Sequence, residues 1–362
     1  MNESYITHIG CANPEHAIRQ EDAFKFMVET LKADKVLERK LSVLYRQTQI
    51  DKRYTVVSSF TRDKNFHFNK KENKLFSTSE RMKIYEKEAL ILAEKSVHDL
   101  KIDFPVKEIT HLITFSCTGM YAPGLDIDLV RHMGLSPNIQ RFNVNFMGCY
   151  AGLTVLKLAD SIVKSDPKAK VLMVGVEICS IHFQKDLDED FLLSNALFAD
   201  GSAACIVQSQ PVNGKNIKNE SFYCELITEG LSDMAWHIRD FGFEMKLSSY
   251  IPKLLNGSMD QLLDQLKKDM GKESAVDHFA IHPGGRAILD TLSKKIGKKN
   301  NALQHSYDIL RDYGNMSSVT VIFVLKRLIE SLDNSNNKEK ILSMAFGPGL
   351  TMESALLEFA YV

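Results

Sequence analysis

Apolar residues along this chain come in two textures. Short, nearly continuous runs occur at His111 to Ser116, Lys170 to Glu177, Ala203 to Gln208 and Lys340 to Phe346, as in strands covered on both faces. Elsewhere apolar residues recur every third or fourth position. This spacing predicts helices over Gln20 to Leu31, Val36 to Thr48, Gly124 to Met133, Ser249 to Leu266, Arg286 to Ile296, Ala302 to Arg311 and Val319 to Leu332. Another opens at Ser77, where Glu80 completes a capping box, and Met82, Tyr85, Ala89, Leu92, Ala93 and Val97 mark one face of a helix ending near Leu100. Shorter strands are predicted at Tyr5 to Ile9, Phe222 to Thr228, His278 to His282 and Met352 to Phe359, and Thr61 to Lys74 reads as a polar, basic surface loop.

Strands alternating with helices give an α/β architecture, and the alternation restarts after Gln210-Pro211-Val212-Asn213-Gly214-Lys215-Asn216, the best linker candidate. Two halves are therefore expected, 1–212 and 220–362. The strand ending in Cys117-Thr118 corresponds to the strand ending in His282. The helix started by Cys149 corresponds to the one started near Asn315, and Lys170 to Glu177 corresponds to Lys340 to Phe346. The repeat is one of pattern, with little residue identity.

Composition removes several alternatives. With 44% apolar and 25% charged residues and a net charge of −1 over 362 residues, bulk electrostatics point to neither nucleic acid nor a membrane surface as partner. The six cysteines are scattered, without a C-x-x-C pair or ligand-spaced histidines, so neither a disulfide framework nor a metal site is expected, and the compartment reads as reducing and cytoplasmic. Met-Asn-Glu-Ser-Tyr-Ile has no signal-peptide character, and no apolar run approaches membrane-spanning length.

The chemistry centres on Asn143 to Asp160, which reads as a buried loop delivering Cys149 to the first turn of an apolar helix. There the helix dipole and free N–H groups favour a thiolate. Taken alone, Cys149 is equally a small core residue, His282 before Pro-Gly-Gly a turn histidine, and Asn315 an ordinary helix cap. A pseudo-twofold axis relating the halves would bring all three together. Cys149 would then be the nucleophile of an acyl transfer, its thiol pKa lowered by an ion pair with His282, while His282 and the Asn315 amide donate to an oxyanion or enolate.

Gly148-Cys149-Tyr150-Ala151-Gly152, His282-Pro283-Gly284-Gly285, Tyr313-Gly314-Asn315-Met316-Ser317-Ser318 and Gly347-Pro348-Gly349-Leu350-Thr351 together resemble the type III polyketide synthases, the chalcone synthase family. The last two motifs separate this branch from other thiolase-like enzymes. The resemblance runs from Ile9-Gly10-Cys11-Ala12-Asn13-Pro14 to the last strand and implies a five-layer αβαβα thiolase-like fold, a homodimer, and CoA thioesters used directly, without cofactor or acyl carrier protein. By the same resemblance Cys149 carries the acyl group from an acyl-CoA starter. His282 and Asn315 stabilise the enolate formed when malonyl-CoA loses CO2, and that carbanion attacks the Cys149 thioester. Phe198 falls on the family's gatekeeper phenylalanine, Cys117 and His182 on cavity-lining positions, and Gly349 in the last motif is assigned to substrate binding.

The departures point to the bacterial branch. Trp236 precedes His237-Ile238-Arg239 where plant members have a glycine, Met245 stands where a second phenylalanine is expected, and Glu177 to Gln184 has a bacterial cast. Of the basic positions that hold the CoA phosphates only Lys40 aligns, the next two being Val43 and Gln47; Arg39, Arg46 and Arg53 are the neighbouring candidates, although charges on such a helix are commonly a solvated face. The resemblance implies iterative extension and cyclisation to an aromatic or pyrone product. Single condensation of ketoacyl synthase III type, or a catalytically silent acyl-CoA-binding dimer partner, is the competing expectation.

Overall fold

The computed structural model describes residues 2–57, 76–231, 233–248, 276–297 and 301–362, together with Ile251, Lys253, Leu254, Gly257 and Asp260. The predicted loop Thr61 to Lys74 and most of the predicted helix Ser249 to Leu266 lie outside the described residues. In chain order the strands are β1 (Tyr5–Ala12), β2 (His16–Arg19), β3 (Lys52–Thr55), β4 (His111–Ser116), β5 (Gln140–Asn145), β6 (Lys170–Ile178) and β7 (Asp200–Gln208). Then follow β8 (Lys215–Leu226), β9 (Met234–Arg239), β10 (Gly242–Leu247), β11 (His278–Ile281), β12 (Lys340–Gly347) and β13 (Thr351–Tyr361).

Among the described residues nine strands form one mixed sheet in the order β11-β12-β13-β8-β1-β7-β6-β4-β5. The repeat is visible in this order. On one side β4 is parallel to β6, which is antiparallel to β7, itself antiparallel to β1. On the other, β11 is parallel to β12, which is antiparallel to β13, itself antiparallel to β8. The two sides meet at a narrow seam, Tyr5 opposite Lys218 and Ile6 opposite Ile217.

The layers follow from the two-residue period of buried strands. Ile113, Phe115, Val171, Met173, Ala203 and Cys205 face a central core that also takes in Ile341 and Ala345 from the second half. Between them lie the apolar helices Ala151–Ser165 and Thr320–Ser331, which contribute Leu153, Val155, Leu156, Val321, Val324 and Leu325 to the same core. The alternate residues Leu112, Leu172, Val174, Ala204 and Ile206 face outward onto Tyr85, Ala89, Leu92 and Ala93 of the Thr78–His98 helix, whose Ser77–Glu80 capping box is present. In the second half Leu342, Met344 and Phe346 face outward onto Leu289 and Leu292 of the Arg286–Ile296 helix and Leu310 of the Gln304–Tyr313 helix. The result is the five-layer thiolase-like fold. No described helix is long and apolar enough to cross a membrane.

Several elements depart from expectation. Asn143 to Asn145 belong to β5, an edge strand whose half-exposed Gln-Arg-Phe-Asn-Val-Asn lacks an apolar run. The linker end, Lys215 and Asn216, already lies in β8, because that strand's polar beginning pairs with β1 and β13. The short β2–β3 pair, the β9–β10 hairpin and the full extent of the Glu189–Leu197 helix were likewise not apparent from periodicity.

Candidate active site

Cys149 sits just ahead of the central helix, two positions before Ala151, rather than within its first turn. Gly148 beside it has φ +99°, and a Cβ there would lie 2.2 Å from Cδ of Pro348. Glycine therefore lets the loop turn left-handed and lets the Gly347-Pro348 turn of the second half press onto it. Cys117, at the end of β4, fixes the same loop from below. The Gly148 N–H donates to its Sγ at 2.9 Å, and its thiol donates to the Gly148 carbonyl at 3.3 Å.

The second half supplies His282 and Asn315. His282 follows β11, is almost wholly buried, and has no hydrogen-bond partner on either ring nitrogen among the described residues. Asn315 is equally buried. Its Oδ1 accepts from the Ser317 N–H at 2.8 Å, which fixes the amide orientation, and its Nδ2 donates to the Gly284 carbonyl at 3.2 Å, in the turn carrying His282. Phe198 is joined to Asn315 by an isolated β-bridge, with Asn315 N–H to Leu197 O and Ala199 N–H to Asn315 O both 2.9 Å. One cavity, of about 1230 Å³ including its open mouth, is lined by Cys149, His282, Asn315 and Phe198, and also by Cys117, His182, Trp236, Met245 and Arg53.

The charge state differs from the expected ion pair. Burial pushes the Cys149 thiol up to about 12, with the Ser317 contact pulling the other way, and burial pushes the His282 imidazole down to about 3. The Cys149 thiol donates to Ser317 Oγ at 3.6 Å, and among the described residues no hydrogen bond joins it to His282. Both shifts run against the expected thiolate–imidazolium pair, since burial favours the neutral thiol and the neutral imidazole.

Sequence reasoning missed Ser317 and the buried carboxylate beside it. Glu177 accepts from Thr118 Oγ1 at 2.8 Å, from the Cys117 N–H at 3.0 Å and from Ser318 Oγ, so it ties the end of β4 to the Asn315–Ser318 turn. Burial raises its pKa, while these donors oppose the rise. The signal was a lone acid in an otherwise apolar strand, since a buried carboxylate needs several donors.

The same cavity has an aromatic wall. Trp236 and Met245 face each other across the β9–β10 hairpin, and Trp236 Nε1 donates to the Cys117 carbonyl at 2.7 Å. The Trp236 ring meets His182 and Phe243 edge-on, at 5.6 and 5.8 Å between centroids, and His182 stacks on Phe243 at 4.1 Å. The Phe243 N–H can only donate, so His182 Nδ1 accepts at 3.0 Å, and Nε2–H donates to the Thr118 carbonyl at 2.6 Å.

This ring is locked neutral, burial pushing it down to about 3 from 6.5. The unfolded imidazole binds its proton near 6.5 and the folded one only near 3, so stability is lost as pH falls through that window. His182→Gln is expected to flatten the dependence of unfolding free energy on pH by roughly 1.4 kcal/mol per pH unit within it. Denaturant unfolding of both proteins at a series of pH values checks this; equal slopes would mean that folded His182 accepts a proton.

Of the remaining candidates, Gly349 and the basic residues of the Lys35–Gln47 helix fall outside this arrangement. Gly349, with φ +117°, is part of the turn between β12 and β13 and does not line the cavity; its neighbour Pro348 does. Arg39, Lys40 and Arg46 are exposed on the Lys35–Gln47 helix, Lys40 in an ion pair with Glu189 at 2.7 Å. Arg53 corrects the expectation for CoA phosphates. It is buried in the cavity wall, with Nε and Nη1 hydrogen-bonded to protein oxygens, whereas a phosphate contact needs donors open to solvent.

Two sheet halves around a pair of buried helices, with a cysteine, a histidine and an asparagine lining one cavity, define a thiolase-like acyl-transferring enzyme. The description "Chalcone and stilbene synthases, N-terminal domain" matches residues 2–211, and the corresponding C-terminal domain matches residues 221–360. The chain belongs to this family and is a type III polyketide synthase. Among its relatives, the alpha-pyrone synthesis polyketide synthase-like Pks18 of Mycobacterium tuberculosis is 29% identical over 98% of this chain and 90% of its own. Probable polyketide synthase 1 of Dictyostelium discoideum is 28% identical over 99% of this chain, which spans only 11% of that protein's length. Among solved structures, the C-terminal type III polyketide synthase domain of Steely1 from Dictyostelium superposes with a TM-score of 0.90 at 26% identity, covering 99% of each chain. PKS-I of the brown alga Ectocarpus siliculosus gives 0.88 at 25%, covering 99% of this chain and 98% of its own.

Proposed function

We propose that the protein condenses malonyl-CoA units, with loss of CO2, onto an acyl group that Cys149 takes from a CoA-linked starter, and then cyclises the chain to an aromatic or pyrone product. The observation that carries this is His282. A buried imidazole without a partner is costly, and here it lines the same cavity as the nucleophile and a fixed amide donor. The Cys149 sulfur attacks the starter thioester as its proton passes to His282, and CoA leaves as a thiol. When malonyl-CoA loses CO2, the C–C bonding electrons move into an enolate whose oxygen accepts from His282 Nε2–H and Asn315 Nδ2–H. The enolate carbon attacks the Cys149 thioester and frees the sulfur for the next round.

No cofactor enters this scheme and no carrier protein is needed. Lys40, Arg39 and Arg46 are the candidates for the CoA phosphates. The Lys40–Glu189 pair is an exposed one of little net worth, so a phosphate can replace the carboxylate. The pyrone reading is supported by the alpha-pyrone synthesis in the name of the mycobacterial relative. The test is incubation with malonyl-CoA and a panel of acyl-CoA starters, without carrier protein, read by mass spectrometry. Multiply extended products are expected. Their absence sinks the proposal, and a single condensation that requires carrier protein would favour the ketoacyl synthase III reading.

Dimerisation is proposed through β5, the last strand of the sheet, where Phe142 on the strand and Met120 near it are each more than a third exposed. A dimer is expected by sedimentation and its dissociation by Phe142→Asp. A wild-type monomer at micromolar concentration would overturn this.

A further inference from the structure

We propose that Arg53 is a positioning residue that sets Phe198 and Asn315 at their working separation, a role that rests on the function proposed above. Arg53 lies on β3, far from Asn315 in sequence, and its two ends grip the two sides of one bridge. The guanidinium Nη1 donates to the Asn195 carbonyl at 2.9 Å and to the Phe198 carbonyl at 2.7 Å, while Nε donates to Gln20 Oε1 at 3.0 Å. Gln20 is itself held, its Nε2 donating to the Ala196 carbonyl at 2.8 Å and to Thr48 Oγ1 at 3.1 Å. The fork therefore secures the end of the Glu189–Leu197 helix where Phe198 leaves it.

The stem of the same side chain lies against Gly314. A Cβ on that glycine would sit 2.8 Å from Arg53 Cγ and 3.0 Å from its Cδ, and the backbone there has φ +73°. Glycine immediately before Asn315 thus serves both the turn and the close approach of Arg53. Asn315 and Phe198 are bridged directly to each other, so one side chain braces both partners of the bridge, one by hydrogen bonds and the other by contact. Burying a guanidinium is costly, and its donation to backbone carbonyls at a functional bridge accounts for the charge being here. Lysine cannot replace it, because a single ammonium does not offer two donors in a plane together with an Nε–H toward Gln20.

Arg53→Lys separates this role from two others. It is expected to lower kcat for CO2 release from malonyl-CoA by about 10²-fold through misplacement of Asn315, with KM and the rate of Cys149 alkylation by iodoacetamide within about twofold of wild type. The Ala199 and Asn315 amides, which form the bridge, are expected to exchange hydrogen about tenfold faster while core amides keep their protection. Gln20→Leu, which removes the Nε partner without touching the cavity wall, is expected to show the same pattern more weakly. A raised KM with kcat unchanged would make Arg53 a CoA contact and overturn the proposal. A common loss of kcat, alkylation and core protection would make it a general structural residue and overturn it as well. If the wild-type enzyme releases no CO2, the function proposed above fails, and the selective exchange of the two bridge amides still decides the role of Arg53.

Discussion

Cys149→Ala is expected to abolish chain extension while leaving measurable release of CO2 from malonyl-CoA, and Asn315→Ala to lose both. In the proposed mechanism extension needs the sulfur as acyl carrier. Decarboxylation there needs only a stabilised enolate, with His282 and Asn315 as its donors. The Asn315 amide is preset, its Oδ1 held by the Ser317 N–H and its Nδ2 directed to the turn of His282, so removing it deletes one oriented donor, an effect of roughly 10²–10³ in kcat. It also leaves the buried Ser317 N–H unpaired at about 1–3 kcal/mol, which thermal unfolding must show the fold to survive. Trapping CO2 from both variants beside a mass spectrum of products decides the matter. Equal loss of CO2 release in the two would mean that the thiol takes part in decarboxylation and that the division of labour is wrong.

Trp236→Gly is expected to admit bulkier starters or additional malonyl units. The indole lines the same cavity as Cys149, and packed surroundings do not close freely over so large a deletion. The substitution removes the hydrogen bond to the Cys117 carbonyl and the edge contacts with His182 and Phe243. A stability loss of up to about 3–5 kcal/mol is expected, smaller to the extent that the half-buried ring already meets water. Trp236→Phe is the control, since it loses the donor and part of the ring volume but keeps an aromatic ring on the wall; its product range should lie much nearer the wild type than that of Trp236→Gly. If folded Trp236→Gly gave wild-type starters and product lengths, the wall would be set elsewhere, with Cys117, His182 and Met245 next to be tested.

The parts legible in the sequence were those whose environment is uniform along an element. β4, β6 and β12 are apolar on both faces, and the helices Gln20–Leu31 and Arg286–Ile296 carry a clear three-to-four spacing with turn signals at their ends, so their limits were found nearly to the residue. β5 and the start of β8 were hidden because an exposed edge and a seam are satisfied by backbone pairing, which leaves side chains free to be polar. The same contrast holds at the site. Cys149, His282 and Asn315, which line one cavity, could be placed together because each lies at or within a few residues of a strand end or a buried helix, positions that can be located from the chain. Arg53 was misassigned because a basic residue after a basic helix looks solvent-facing, and only the fold shows that its partners are carbonyls almost a hundred and fifty residues away. Ser317 and Glu177 were passed over for a related reason: their role lies in hydrogen bonds across the halves, which no local pattern records.

The contact between Gly148 and Pro348 has a bearing on how the enzyme comes into being. Cys117, which holds the Gly148 backbone, belongs to the first half, but the turn that presses on Gly148 and the Ser317 hydroxyl that meets the Cys149 thiol belong to the second. During synthesis Cys149 therefore leaves the ribosome long before His282, Asn315 and Pro348 exist. In that interval a nascent chain holds Cys149 with neither His282 nor the covering turn, and on the mechanism proposed above acyl chemistry becomes available only once the carboxyl-terminal strands have docked. Competence thus reports that folding has finished.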